Sequence, residues 1–220
     1  MKVTPAVSEK TGKEAKIGIS SMSYLMVRLA PVLVGLKPSS LFGFCKRREI
    51  EGESFYDQWA EDREKIAAAL GVSFKELKDA PCGRQVLFYR PESLRRVIAR
   101  PENRIFLGEF GYSSCRSPEE YLKLLKTRFN GRSFPHEIGI FLGYPLKDVK
   151  GFIHKGSMPL MARGRWQVFG EASGSMRLMR MHEKAERIFQ SFIRNGRDPM
   201  VFLERVSSHF RKFSGDIVVV

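Results

Sequence analysis

The stretch FPHEIGIFLGYPLKDVKGFI, residues 134–153, restricts the fold more than any other part of the chain. Apolar residues at helical spacing run up to Gly143-Tyr144-Pro145 and resume beyond it. Glycine gives access to the positive φ that ends a helix, and proline suits the first turn of the next one. The pattern predicts two short helices meeting at a tight corner, with Gly139, Ile140, Gly143, Val149 and Phe152 turned inward against each other. The chain around this corner, 220 residues in all, is long enough to bury a large core.

The remaining elements follow from periodicity and punctuation. Residues 21–37 have helical spacing, with Ser21 or Ser23 as cap, Gly35 near the end and Pro31 placed to bend or divide the helix. A short aromatic strand, SSLFGFC, follows without clean apolar/polar alternation. Residues 55–71 predict an amphipathic helix with Phe55, Trp59, Ile66 and Leu70 on one face and Gly71 as its stop. VSFKELKD and RQVLFYR predict a hairpin across the intervening APCG. A helix opens at Pro91 and runs to Ala99. Another spans residues 117–131, capped by Ser117, acidic in its first turn, basic in its last and closed by Asn130-Gly131.

RWQVFG is a further strand. Residues 173–196 predict a long helix with a core stripe of Leu178, Met181, Ala185, Phe189 and Phe192, and residues 199–213 a last one. Helices mixed irregularly with a few short strands, without a βαβ rhythm, indicate an α+β fold. The expectation is one compact domain over residues 19–220, several helices packed on a small, mainly antiparallel sheet, after a basic tail at residues 1–18.

Lys and Arg number 38 against 24 Asp and Glu, a formal charge of +14. That excess allows nucleic acid, an anionic membrane or an acidic partner without choosing among them. The basic residues are scattered, with no RNP-like string and no glycine-rich phosphate loop. Cys45, Cys82 and Cys115 are far apart and form no CxxC pair, which excludes a zinc ribbon and a dense disulfide framework. The first 18 residues lack the apolar core of a signal peptide, and the apolar run of residues 22–36 is broken by Arg28 and Pro31 and too short for a membrane span. A cytoplasmic location is the expectation.

Four segments taken together and in order, LAPVLVGLKPSSLF, QVLFYRP, FPHEIGIFLGYPLKDVKGFI and RWQVFG, resemble the bacterial domain-of-unknown-function family numbered 3793. The likeness runs from Tyr24 to Gly170 and more weakly to Gly196. It implies a shared fold and no particular mechanism. Members of that family commonly carry a cysteine where this chain has Leu29, and cysteines before the WxVYG-like strand, where this chain has PLMARGRW at residues 159–166. A thiolate is the nucleophile and soft-metal ligand of cysteine chemistry, and neither leucine nor alanine replaces it. A thiol-dependent enzyme is the weaker reading for that reason.

Three sets of residues remain as candidate sites. In a helix-turn-helix reading of the corner, Lys147 and Lys150 face a major groove, with Arg95 and Arg96 as a non-specific control; a packed corner produces the same pattern. His136-Glu137 opens the first helix, where Glu137 favours the helix dipole and His136 offers a base or a ligand, although Ile140 rules out HExxH. Met158, Met161, Met179 and His182 form a soft-donor group suited to Cu(I) or haem iron, with core packing as the plainer account. Cys115, beside Arg116 and before a helix, is either a thiol of lowered pKa or an inert loop residue. The leading reading is a non-catalytic protein that binds a ligand or partner, of redox or soft-metal type, through His136, Glu137, Met158, Met161, Met179 and His182. The rival is a nucleic-acid-binding protein.

Overall fold

The RQVLFYR run is the centre of the molecule. In a computed structural model of the chain, which describes residues 19–50, 52–197 and 200–204, it forms the middle strand of a three-stranded antiparallel sheet. The order is β1 (Ser39–Cys45), β5 (Gly83–Tyr89), β4 (Ser73–Ala80). β4 and β5 are the expected hairpin, closed by Pro81-Cys82, with Ala80 opposite Gly83. A continuous apolar run suits a strand covered on both faces. Val86 and Phe88, with Phe42 and Phe44 of β1, point into one core; Leu87, with Leu77 of β4, points into another. The missing alternation in SSLFGFC has the same origin.

The first core is closed by α1 (Ile19–Leu33), α2 (Phe55–Leu70) and α8 (Ser173–Arg194). Trp59 of α2 lies flat on Phe44, 4.7 Å between ring centroids, and its Nε1 donates to Glu76 at 3.1 Å. The second core is closed by α3 (Pro91–Ala99), α4 (Pro101–Gly108), α5 (Pro118–Phe129), α6 (Ile138–Phe141) and α7 (Leu146–Ile153). Two two-stranded ribbons complete the described residues, β2 (Glu49–Ile50) with β3 (Glu53–Ser54), and β6 (Leu160–Arg163) with β7 (Gln167–Phe169). The expected α+β architecture on a small antiparallel sheet is the one observed. No helix among the described residues is long and apolar enough to cross a membrane.

Several details correct the sequence reading. α1 begins at Ile19, so Ser21 and Ser23 lie inside it and are buried rather than capping. Pro31 sits in its last turn and does not divide it. α4 was not expected: directly after α3, Pro101 occupies the first turn of a second short helix. The buried stripe of α8 is Ser175, Met179, His182, Ala185 and Phe189, so Leu178 and Met181 stand at its margin. Of the last predicted helix, residues 200–204 are helical, and the rest lies outside the described residues.

The two-helix corner forms, with α6 reduced to a single turn; Gly139, Ile140 and Val149 are buried as expected, whereas Gly143 is half-buried and Phe152 is half-buried against exposed His136. Gly143 has φ +75° and packs so closely on Pro38 that a Cβ there would come within 2.5 Å of its ring. Ser39 Oγ donates to the Phe141 carbonyl at 2.6 Å. The corner therefore holds the entry to β1. α7 in turn presses on β7, because Gly151 leaves room for the Phe169 ring, 2.4 Å from where a Cβ would stand. Gly151→Ala should destabilise the protein by about 1–2 kcal/mol, overpacking outweighing the helix preference of alanine. Urea denaturation checks this; an unchanged or raised midpoint would show that the α7–β7 contact yields freely.

Candidate functional site

A cavity of about 710 Å³ opens where α1, the loop leading into β1, α8 and the β6–β7 turn meet. Each wall comes from a different part of the sequence. α1 supplies Tyr24 and Arg28, the loop supplies Lys37, the start of β1 supplies Ser40, and α8 supplies His182, Glu183 and Glu186. The β6–β7 turn brings Arg165 and Trp166, and the corner brings Tyr144. Four cations line it (Arg28, Lys37, Arg48, Arg165) against two carboxylates (Glu183, Glu186). Glu186 is engaged by Arg165 through two hydrogen bonds of 2.7 and 2.6 Å.

Aromatic rings lie between the charges. Tyr144 stacks on Trp166 at 4.5 Å and 21°. Lys37 Nζ stands 5.4 Å from the Tyr144 ring centre, and the Arg48 guanidinium 4.5 Å from that of Tyr24. Lys37 Nζ also donates to Ser40 Oγ at 3.2 Å. Burial, together with the charges of Arg165 and Arg28, pushes the Lys37 ammonium down to about 8, against an opposing pull from Glu186.

His182 is the least satisfied group in the wall. It is 2% exposed, and its Nε2 is buried with no hydrogen-bond partner. The other ring nitrogen serves the Leu36 backbone, which assigns the proton to Nδ1 and leaves a bare lone pair at Nε2. Burial first, then the charges of Lys37 and Arg165, push this imidazole down to about 4, so it is neutral at pH 7.

Behind the cavity lies a buried carboxylate that holds its wall in place. Asp148, 2% exposed, accepts from Lys147 Nζ at 2.7 Å, Trp166 Nε1 at 2.8 Å, Phe169 N at 2.9 Å and Ser175 Oγ at 2.6 Å. One side chain of α7 thus fixes Trp166, β7 and the start of α8. The Tyr144–Trp166 stack also borders a second, apolar cavity of about 380 Å³, reached past Phe134, His136 and Phe152.

The candidates read from the sequence are spread around these features. His136 is exposed, in contact with Phe134 and Phe152, and lines the apolar cavity. Glu137 is buried and bound by Arg128, with Tyr112 Oη donating to it at 3.4 Å; burial and that carboxylate push the Tyr112 phenol well up. Met161 is 58% exposed, Met158 lies near Gly170, and Met179 is buried with its sulfur against Gly164. His182 alone of the soft-donor set lines the polar cavity.

Lys147 is occupied by Asp148 and the Phe169 carbonyl, and Lys150 lies over the Phe106 ring. Arg95 pairs with Glu92, and Arg96 donates to Ser93 at 3.4 Å, both on the exposed side of α3. The Cys115 thiol is buried and pushed up by burial and by Glu120, more than Arg116 lowers it, which fits the inert reading. Lys37, Tyr144, Asp148, Arg165 and Trp166 were missed as a group. Their one sequence signal is that each falls in a segment carrying the family likeness or in the adjoining ARGRW.

The family model for Protein of unknown function (DUF3793) matches residues 25–202. The chain belongs to that family. Neither the curated proteins nor the solved structures contain a match to it. Three of the segments by which the sequence resembles the DUF3793 family converge on the polar cavity, through Lys37 and Ser40, Tyr144, and Trp166. Leu29 and residues 159–166, where the resemblance implies cysteines, border it too, the first directly and the second through Gly164, Arg165 and Trp166.

Proposed function

We propose that this protein binds a small planar anion, a carboxylate in the first instance, in the polar cavity. The observation that carries this reading is the wall itself: four cations face two carboxylates, and one of those is already held by Arg165. Guanidinium groups recognise carboxylates through paired hydrogen bonds, and a partly desolvated cavity strengthens them. Tyr24, Tyr144 and Trp166 offer flat faces to a planar ligand. The buried lone pair of His182 Nε2 awaits a donor that a ligand or a bound water supplies.

Binding is read here as non-catalytic, and the protein as cytoplasmic, with Cys45, Cys82 and Cys115 as free thiols. The nucleic-acid alternative keeps the charge of +14 as its support. Its proposed reading face is less suited to it, since Lys147 and Lys150 are both engaged within the protein.

Calorimetric titration with benzoate, oxalate and phosphate tests the proposal. At least one carboxylate should bind saturably, with Kd below about 1 mM. Arg28→Gln should weaken it by about tenfold or more, as the loss of a charged hydrogen bond does. The two tryptophans separate cleanly, because Trp59 lies in the core, so binding should quench the fluorescence of wild type and leave Trp166→Phe unchanged. No saturable binding of any of the three anions would overturn the reading.

A further inference from the structure

A lysine is an unusual choice for the floor of a cavity that only needs positive charge. Arg28, Arg48 and Arg165 already supply charge, and guanidinium is the better carboxylate partner. Lysine differs in one respect: its amine can lose a proton and become a nucleophile. Here the amine is held by two contacts, Ser40 Oγ at 3.2 Å and the face of Tyr144, on a loop fixed by the corner through Pro38 and Ser39.

Next to it, in the same cavity, is a histidine with a bare, buried Nε2. The Lys37 charge is felt by that imidazole, so the two groups are electrostatic neighbours. An amine nucleophile and a neutral base facing one anion-attracting space are the components of imine chemistry.

We infer that Lys37 captures the ligand covalently, as a reversible imine with an aldehyde or 2-oxo group on the bound carboxylate, and that His182 carries the proton. This inference rests on the anion-binding reading above. The cations hold the ligand carboxylate and place its carbonyl carbon at Lys37. The fraction of Lys37 that is free amine adds its lone pair to the carbonyl carbon, and His182 Nε2 relays one proton from the nitrogen to the oxygen to form a carbinolamine. His182 then relays the second proton from the nitrogen to the hydroxyl, which leaves as water while the C=N bond forms. The sum is amine plus carbonyl giving imine plus water, with no oxidant or reductant.

The depressed ammonium of Lys37 is consistent with this role, because it places more free amine at pH 7 than an exposed lysine has. The charged and titratable groups that share the cavity with it are Tyr24 and Arg28 from α1, Arg48 from the turn after β1, Tyr144 from the corner, Arg165 from the β6–β7 turn, and His182, Glu183 and Glu186 from α8. All but the two glutamates keep it from holding its proton or are neutral.

The test is reductive trapping of the whole protein with glyoxylate and sodium cyanoborohydride at pH 7, followed by peptide mapping. Lys37 should be labelled about tenfold or more faster than exposed Lys126 and Lys155. Lys37→Arg removes the amine, so site-directed trapping should disappear, and wild type should bind oxalate, which has no reactive carbonyl, without being trapped by it. His182→Gln should slow trapping at residue 37 by about tenfold or more, the scale of general acid–base assistance.

Labelling of Lys37 no faster than of Lys126 overturns the inference. If oxalate still binds in that case, the anion-binding reading survives and the imine alone falls; if oxalate fails too, both fall. Equal trapping rates in wild type and in folded His182→Gln remove the proton-carrying role assigned to His182.

Discussion

Asp148→Ala should cost about 3–5 kcal/mol of folding stability, the range for stripping one partner from a buried charged network. The carboxylate accepts from four donors; Phe169 N and Ser175 Oγ are buried and have no water to turn to when it is removed, whereas Lys147 and Trp166 are part-buried. Lys147 loses its counter-charge while its Nζ stays near the Phe169 carbonyl. The Trp166 indole and the Ser175 hydroxyl each lose their acceptor, and Phe169 N loses the bond that positions β7 beside α7. Since a domain has only about 5–15 kcal/mol in total, the variant should sit close to its unfolding threshold, with Tm lowered by roughly 10 °C. Asp148→Asn keeps the shape and one acceptor oxygen, so its loss should be smaller. Urea denaturation followed by circular dichroism measures both. A loss below about 1 kcal/mol for Asp148→Ala would mean that the four bonds are not what joins α7, β7 and α8. The tryptophan signal gives a second check, because Trp166 should gain mobility in the variant while Trp59, fully buried on Phe44, should not.

This carboxylate also shows where sequence reasoning succeeds and where it stops. In the sequence, Asp148 is only an acidic residue in the first turn of a short helix, which the helix dipole explains by itself. Its partners at 166, 169 and 175 lie outside its own helix, so periodicity says nothing about them. The corner around it was legible because Gly143, Pro145 and the apolar spacing act locally, and the observed contact of Gly139 with Val149 follows from them. The β4–β5 hairpin and α2 were legible for the same reason. β6 was missed because LMAR has exposed Leu160 and Met161 and makes a ribbon with β7 only.

The stripe of α8 was misplaced by hydrophobicity. Leu178 and Met181 look like its core positions, which puts Met179 and His182 together on another edge of the helix. The helix is turned so that Met179 and His182 are buried, one against Gly164 and the other against the polar cavity. A polar wall permits a buried histidine at a core position, and hydrophobic periodicity has no means of seeing that wall.

The same histidine gives the protein a specific weakness in acid. In the folded chain His182 is held down to about 4, by burial first and then by Lys37 and Arg165, whereas an unfolded histidine titrates near 6.5. Above about pH 6.5 both states are neutral at this site and it contributes nothing to pH dependence. As the pH falls from there, the unfolded chain takes up a proton that the folded one refuses, so stability declines; the decline levels off once the pH passes below about 4 and the folded state protonates too. The full loss from this one group is about 3 kcal/mol. Other groups titrate in the same range, so the informative quantity is the difference between wild type and His182→Gln, which cannot take the proton in either state. That difference should shift by about 2–3 kcal/mol between pH 7 and pH 4.5 in urea denaturation, to the disadvantage of wild type. Lys37→Met should reduce the shift, because it removes the second cause of the depression while leaving the burial. A difference that stays constant with pH would mean that His182 is solvated or proton-bonded in the folded protein, and its Nε2 would then be no base for a ligand in the cavity.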